Sequence, residues 1–179
     1  MSSPERCAVI LALLTGLSFT AQAQTFGRPA TADDIQLWNI DVRPDGTGLP
    51  VGRGTVSQGK AVYEAHCLGC HGHNGAGGYK NRLAGGIGSL TSDAPVKTVG
   101  SFWPYATTLF DYVHRAMPYY FPGSLGTSDT YAVVAYILNL NGIVAADAAV
   151  DQVSLPKIQM PNRNGFVPDP EYIDFKASR

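Results

Sequence analysis

The sequence predicts a small all-α domain with an extended arm at each end. Two observations carry that prediction. Three segments place apolar residues at helical spacing, and the chain between and beyond them is punctuated by 20 glycines and 12 prolines among 179 residues. Residues 25–56 lack a sustained period: Trp38, Ile40 and Val42 are apolar anchors among the turn residues that run to Pro50. This segment reads as an ordered, mainly non-helical arm that docks through those three side chains. Ser57 is placed to cap a helix over Gln58–His66. Val62 and Tyr63 lie near Gly59 on one face of it, where a missing side chain lets a second helix approach. Residues 72–88 are a glycine-rich loop. Trp103, Pro104 and Tyr105 lead into a helix near Thr107–Ala116, with Leu109, Phe110 and Val113 at helical spacing. Met117-Pro118 and Pro122-Gly123 then break the chain before a last helix near Ser128–Leu140. Thr127 or Ser128 caps it, and Ala132, Val133, Tyr136, Ile137 and Leu140 form its apolar face. Residues 141–179 carry three prolines between Pro161 and Pro170 and read as extended chain. The resulting division is a leader at 1–23, an arm at 24–56, a helical domain at 57–145 and a second arm at 146–179.

The first helix runs directly into Cys67-x-x-Cys70-His71. This is the attachment signature of a c-type haem: two thiols on one turn add to the two vinyl groups, and the adjacent imidazole aims at the iron. A zinc site would need a second ligand pair at matched spacing; there is no second C-x-x-C, and the remaining histidines, His66, His73 and His114, form no H-x₃₋₅-H pair downstream. A dithiol redox site would need a βαβ context, which the surrounding pattern lacks. The predicted cofactor is one covalently attached haem c.

The N-terminus points the same way. Arg6 precedes an apolar run over Cys7–Phe19, and Ala21-Gln22-Ala23 supplies a small-x-small cleavage site. The run is shorter than the ~20 residues a spanning helix needs, so it reads as a signal peptide, with a retained anchor as the other reading. Cleavage after Ala23 leaves about 156 residues, one domain by length, with no membrane span. It also removes Cys7, so Cys67 and Cys70 are the cysteines that remain. Export to the periplasm suits haem attachment, which in bacteria follows translocation. With 13 basic and 14 acidic residues the charge is nearly balanced, and neither nucleic acid nor an anionic membrane surface is indicated as a partner.

Gly59–Tyr63, Cys67-x-x-Cys70-His71-Gly72, and Met117-Pro118 ahead of the last helix together resemble class I cytochromes c. Three further blocks, Trp38–Pro50, Trp103–Val113 and Met160–Phe166, with the link Pro122–Leu125, are similar to the cytochrome c subunit of bacterial sulfite and sulfane dehydrogenases, the SoxD-like group. The resemblance implies the small class I helical fold around one haem, with arms that generic class I members lack. It implies a molybdenum-cofactor dehydrogenase subunit as electron donor and a downstream cytochrome as acceptor. One departure is the absence of the usual Gly-Pro after the haem motif, whose carbonyl receives the proximal histidine's N–H. A carbonyl within Asn81–Leu83 is its expected replacement.

By the same resemblance the iron is held by His71 and by Met117. Met160, also in a Met-Pro pair, is the rival for the sixth position, and a core filler is the plain reading of either methionine. His114 would give bis-histidine ligation but reads as a surface residue; His66 and His73 flank the motif too closely to reach the far face of the ring. Arg82, Trp103 and Tyr105 are donors suited to the haem propionates, set against simple solvation for Arg82 and core packing for Trp103. The tail from Leu155 to Phe166 lies outside the haem-binding core and is expected to meet the partner subunit. The predicted function is one-electron transfer without bond making, docking at the haem edge near Cys67 and Cys70. The alternatives are a free carrier serving another dehydrogenase, a haem enzyme such as a thiosulfate dehydrogenase, and a gas sensor. The last two need an open or differently held sixth position.

Overall fold

A computed structural model of the chain describes residues 27–169; the predicted leader at 1–23 lies outside that range. The chain divides into two compact units, Met1–Trp38 and Asn39–Arg179. In the first, helix α1 (Ala32–Trp38) forms where a non-helical arm is expected. Its origin is local: Thr31 Oγ1 accepts the Asp34 N–H at 3.2 Å while Asp34 Oδ2 accepts the Thr31 N–H at 2.9 Å, a reciprocal cap. Arg28 reinforces it with bonds of 2.5 and 2.9 Å to the same carboxylate, which with Thr31 hold Asp34 well below the usual carboxylate range. A four-residue polar cap leaves no apolar period to read. None of the helix is buried, and Trp38 is 85% exposed.

In the second unit the chain enters along helix α5 (Ala106–Ala116). Ile40 stays exposed, so of the three expected anchors Val42 is the buried one, its N–H bonded to Asp111 Oδ1 at 2.8 Å. Thr107 Oγ1 adds a bond to the Pro44 carbonyl at 3.2 Å. Strand β1 (Arg53–Thr55) then pairs antiparallel with β2 (Ala149–Asp151), Gly54 opposite Val150, so the two ends of the domain are stitched together.

Helix α2 (Val56–His66) starts two residues before its predicted bound, because Thr55 caps it instead of Ser57. Thr55 Oγ1 accepts the Gln58 N–H at 3.2 Å and Gln58 Oε1 accepts the Thr55 N–H at 3.0 Å. Single-turn helices α3 (Leu68–His71) and α4 (Val99–Phe102) follow, then α5. Helix α6 (Thr127–Leu140) has Gly126 at its cap position, with no side-chain cap, and Thr130 Oγ1 bonds back to the Gly126 carbonyl at 3.0 Å. From Thr130 to Leu138 every residue of α6 is buried. The single apolar face expected is thus an all-round burial, since α2, α5, β1 and β2 all pack on this helix. Gly59 permits the closest of these contacts: a Cβ there would run into the Ala132 carbonyl of α6. The fold is all-α, with one short strand pair.

Residues beyond β2 complete the core. Leu155 and Met160 are 0 and 2% exposed. Asn162 Nδ2 bonds to the Phe102 carbonyl at 2.7 Å, and Phe166 meets Phe102 edge-on at 5.1 Å. The tail expected to lie outside the core therefore packs on it through α4.

Candidate functional site

Cys67 closes α2 by donating its N–H to the Tyr63 carbonyl at 2.8 Å, and its own carbonyl starts α3, accepting from His71 at 2.9 Å. Cys67, Cys70 and His71 therefore share a single helical turn. Burial, with the neighbouring Cys70 thiol adding to it, pushes the Cys67 thiol up to about 11, so at neutral pH it is an un-ionised thiol.

The chain reverses after His71. Gly72 has φ 73°, and a Cβ there would meet the Gly77 carbonyl, so the turn needs glycine. A strap over residues 72–81 folds back on the haem motif: Gly77 N–H bonds to the His71 carbonyl at 2.9 Å and Lys80 N–H to the Cys70 carbonyl at 2.8 Å. At its far end the Asn81 carbonyl lies 2.8 Å from His71 Nδ1. A carbonyl has no proton to give, so Nδ1–H is the donor and Nε2 keeps a free lone pair. Asn81 falls within the expected Asn81–Leu83 range. At the near end the Tyr63 hydroxyl donates to the Gly72 carbonyl at 2.7 Å, a contact invisible in residue types because its acceptor is backbone.

Met117 ends α5, its N–H bonded to the Val113 carbonyl at 3.1 Å, and its side chain is half-buried. The Lys80 ammonium lies 4.8 Å from the Tyr79 ring and 5.8 Å from the Tyr119 ring. The strap from the cysteine motif thus meets the loop that follows Met117. Met160 is already enclosed by protein. Trp103 is half-buried and edge-on to Tyr112 at 5.7 Å, whereas Arg82 is exposed. Arg163, from the Met160–Phe166 block, places its guanidinium 4.3 Å from the Tyr105 ring. His114, expected at the surface, is half-buried: one turn along from Phe110 it stacks on that ring at 5.6 Å, and its buried Nδ1 has no hydrogen-bond partner among the described residues. His66 and His73 are exposed.

These residues suit a haem c. Two unpaired thiols stand ready for thioether formation and an imidazole offers Nε2. Leu68, Leu83, Trp103 and Met117 are all partly covered against the same core, leaving apolar surface for a porphyrin. No group of three or more His, Cys, Asp or Glu among the described residues is arranged to hold a bare metal ion.

A family model for cytochrome c matches residues 56–141. A chain in the crystal structure of the sulfane dehydrogenase SoxCD from Paracoccus pantotrophus is 40% identical, with a TM-score of 0.77, over 87% of this chain and 77% of that one. The second similarity therefore extends over most of the residues outside 56–141. No curated protein matches.

Proposed function

The chain belongs to the cytochrome c family, as a class I member of the SoxD-like group, and from that premise we propose that it is the electron-accepting subunit of a sulfite- or sulfane-oxidising molybdenum-cofactor dehydrogenase, delivering electrons to a downstream cytochrome. The haem supplies a one-electron iron couple. Cys67 and Cys70 are its covalent anchors, His71 the proximal ligand through Nε2, and Met117 the distal ligand. The observation that carries this reading is the Asn81 carbonyl on His71 Nδ1, which fixes the ring and raises its donor strength toward a metal. Met117 is favoured over Met160 because it is half-buried on the loop that the strap meets, while Met160 fills the core. Arg82, Trp103 and Tyr105 are assigned to the propionate side, with Arg163 as a further cation beside Tyr105.

Export rests on the leader at 1–23, followed by an arm at 24–56, the haem domain at 57–145 and an arm at 146–179. No described helix is long and apolar enough to cross a membrane. The dehydrogenase partner is supported by the 40% identity to a chain of SoxCD.

The test is isolation of the native protein from periplasm under mild conditions, with molybdenum analysis and sulfite-driven haem reduction. Co-purifying molybdenum and rapid reduction are the expected results. A molybdenum-free protein that sulfite leaves oxidised would make it a free carrier for another donor, and rapid carbon monoxide binding by the native protein would make it a haem enzyme or sensor.

A further inference from the structure

We propose that Tyr63 is a positioning residue for His71: its hydroxyl, by holding the Gly72 carbonyl, sets the strap whose far end presents the Asn81 carbonyl to the imidazole. This rests on His71 being the haem ligand.

The anchor itself is immobile. Tyr63 is 1% exposed, and its ring packs on Tyr136 of α6 at 5.3 Å, close to where Gly59 brings α2 and α6 together. Its bond to the Gly72 carbonyl, 2.7 Å, is at the ideal length for O–H···O; the other donor to that carbonyl, Gly75 N–H, is at 3.4 Å. A phenylalanine would fill the same space and keep the same ring contact, so the hydroxyl contributes something other than packing. Its acceptor belongs to the residue directly after His71, at the sharpest point of the chain reversal. From there the strap is registered against the haem motif at Gly77, Lys80 and Asn81. Without the hydroxyl the Gly72 carbonyl keeps only the long Gly75 N–H bond, and its peptide turns to shorten it. That rotation passes along the strap and lengthens the Asn81 bond to Nδ1–H. A weaker bond there makes the imidazole a poorer donor, which favours the reduced iron. The direction is therefore fixed: the potential rises.

The test compares Tyr63→Phe with Tyr136→Phe in the holoprotein. The second variant trims a hydroxyl from the packed ring and leaves the strap alone. Tyr63→Phe is expected to keep its covalent haem while its reduction equilibrium shifts about threefold toward the reduced form, ~30 mV at 59 mV per tenfold. The His71 Nδ1–H and the Lys80 and Gly77 amides are expected to exchange with solvent at least ~3-fold faster. Tyr136→Phe should change neither. Wild-type potential and exchange in Tyr63→Phe, or equal shifts in both variants, would overturn the proposal. A wild-type protein without covalent haem would instead overturn the electron-transfer reading. In that case faster strap exchange in Tyr63→Phe would still show the hydroxyl setting the strap.

Discussion

Asn141 is the residue whose loss we expect to separate the last helix from the loop beyond the strap. It sits directly after α6, 7% exposed, and its amide is fully used. Nδ2 donates to the Leu83 carbonyl at 3.1 Å and the Ile137 carbonyl at 2.9 Å, while Oδ1 accepts the Gly85 N–H at 3.1 Å. Asn141→Ala removes all three bonds at ~1 kcal/mol each. Two of the partners soften the loss: the Leu83 carbonyl also accepts from Val99 at 3.3 Å, and Gly85 is exposed, so water can replace the side chain there. The Ile137 carbonyl lies inside the core and finds no substitute. The net cost is therefore about 2–3 kcal/mol, which for a domain of this size lowers Tm by roughly 5–10 °C. The assay is guanidinium and thermal unfolding of the holoprotein, followed by far-UV circular dichroism. Asn141→Asp keeps the shape and the acceptor but points a carboxylate at two carbonyls, and should cost at least as much. A loss below ~0.5 kcal/mol in Asn141→Ala would refute the reasoning, since it would mean that the three bonds do not hold the loop.

Gly59→Ala should destabilise by ~1–3 kcal/mol in the same unfolding assay, because the methyl meets the Ala132 carbonyl; at an open helix position the same change would stabilise. Met117→Ala is expected to abolish the methionine–iron absorption band. Met160→Ala should keep that band while lowering stability by about 2–5 kcal/mol, so the visible spectrum discriminates the two. In the haem-free chain Cys67 should alkylate with a half-maximal rate near pH 11, read by mass spectrometry, because its thiol is pushed up to about 11. The sign for stability follows: the folded chain holds this proton more tightly than the unfolded one, so stability falls as pH rises from the ordinary thiol range toward 11, and thioether formation removes the dependence.

The parts legible in the sequence are those written in side chains at fixed spacing. The helices around Val62 and Tyr63, around Leu109, Phe110 and Val113, and around Val133 and Tyr136 follow from apolar period, and each lies within two residues of its predicted bounds. The start of α2 is ambiguous in the sequence because Ser57 and Thr55 are both good caps, and only Gln58 reaching back to Thr55 decides between them. Helix α1 is not legible in the apolar pattern because Thr31 and Asp34 initiate it without an apolar stripe. For α6 a single face was read where neighbours close in from several sides, and buried Thr130 is the residue that hides this from periodicity. At the site, the acceptor of His71 could be narrowed to three carbonyls but not chosen, since a backbone acceptor leaves no trace in residue type. Tyr63 and Gly72 escaped for the same reason. His114 looked like a surface residue because spacing alone does not reveal its stacking on Phe110.

The β1–β2 pair has a consequence in time. It joins Gly54 to Val150, so the domain cannot close until its last strand exists. When the chain crosses a membrane from its N-terminus, Cys70 emerges about 80 residues before Asp151. Through that interval α6 is also unfinished, and the helix against which Tyr63 and Gly59 pack is not there to enclose the motif. Long-range closure of this kind leaves both thiols in open chain until that last strand arrives, which gives an attachment enzyme its opportunity before the fold seals around them.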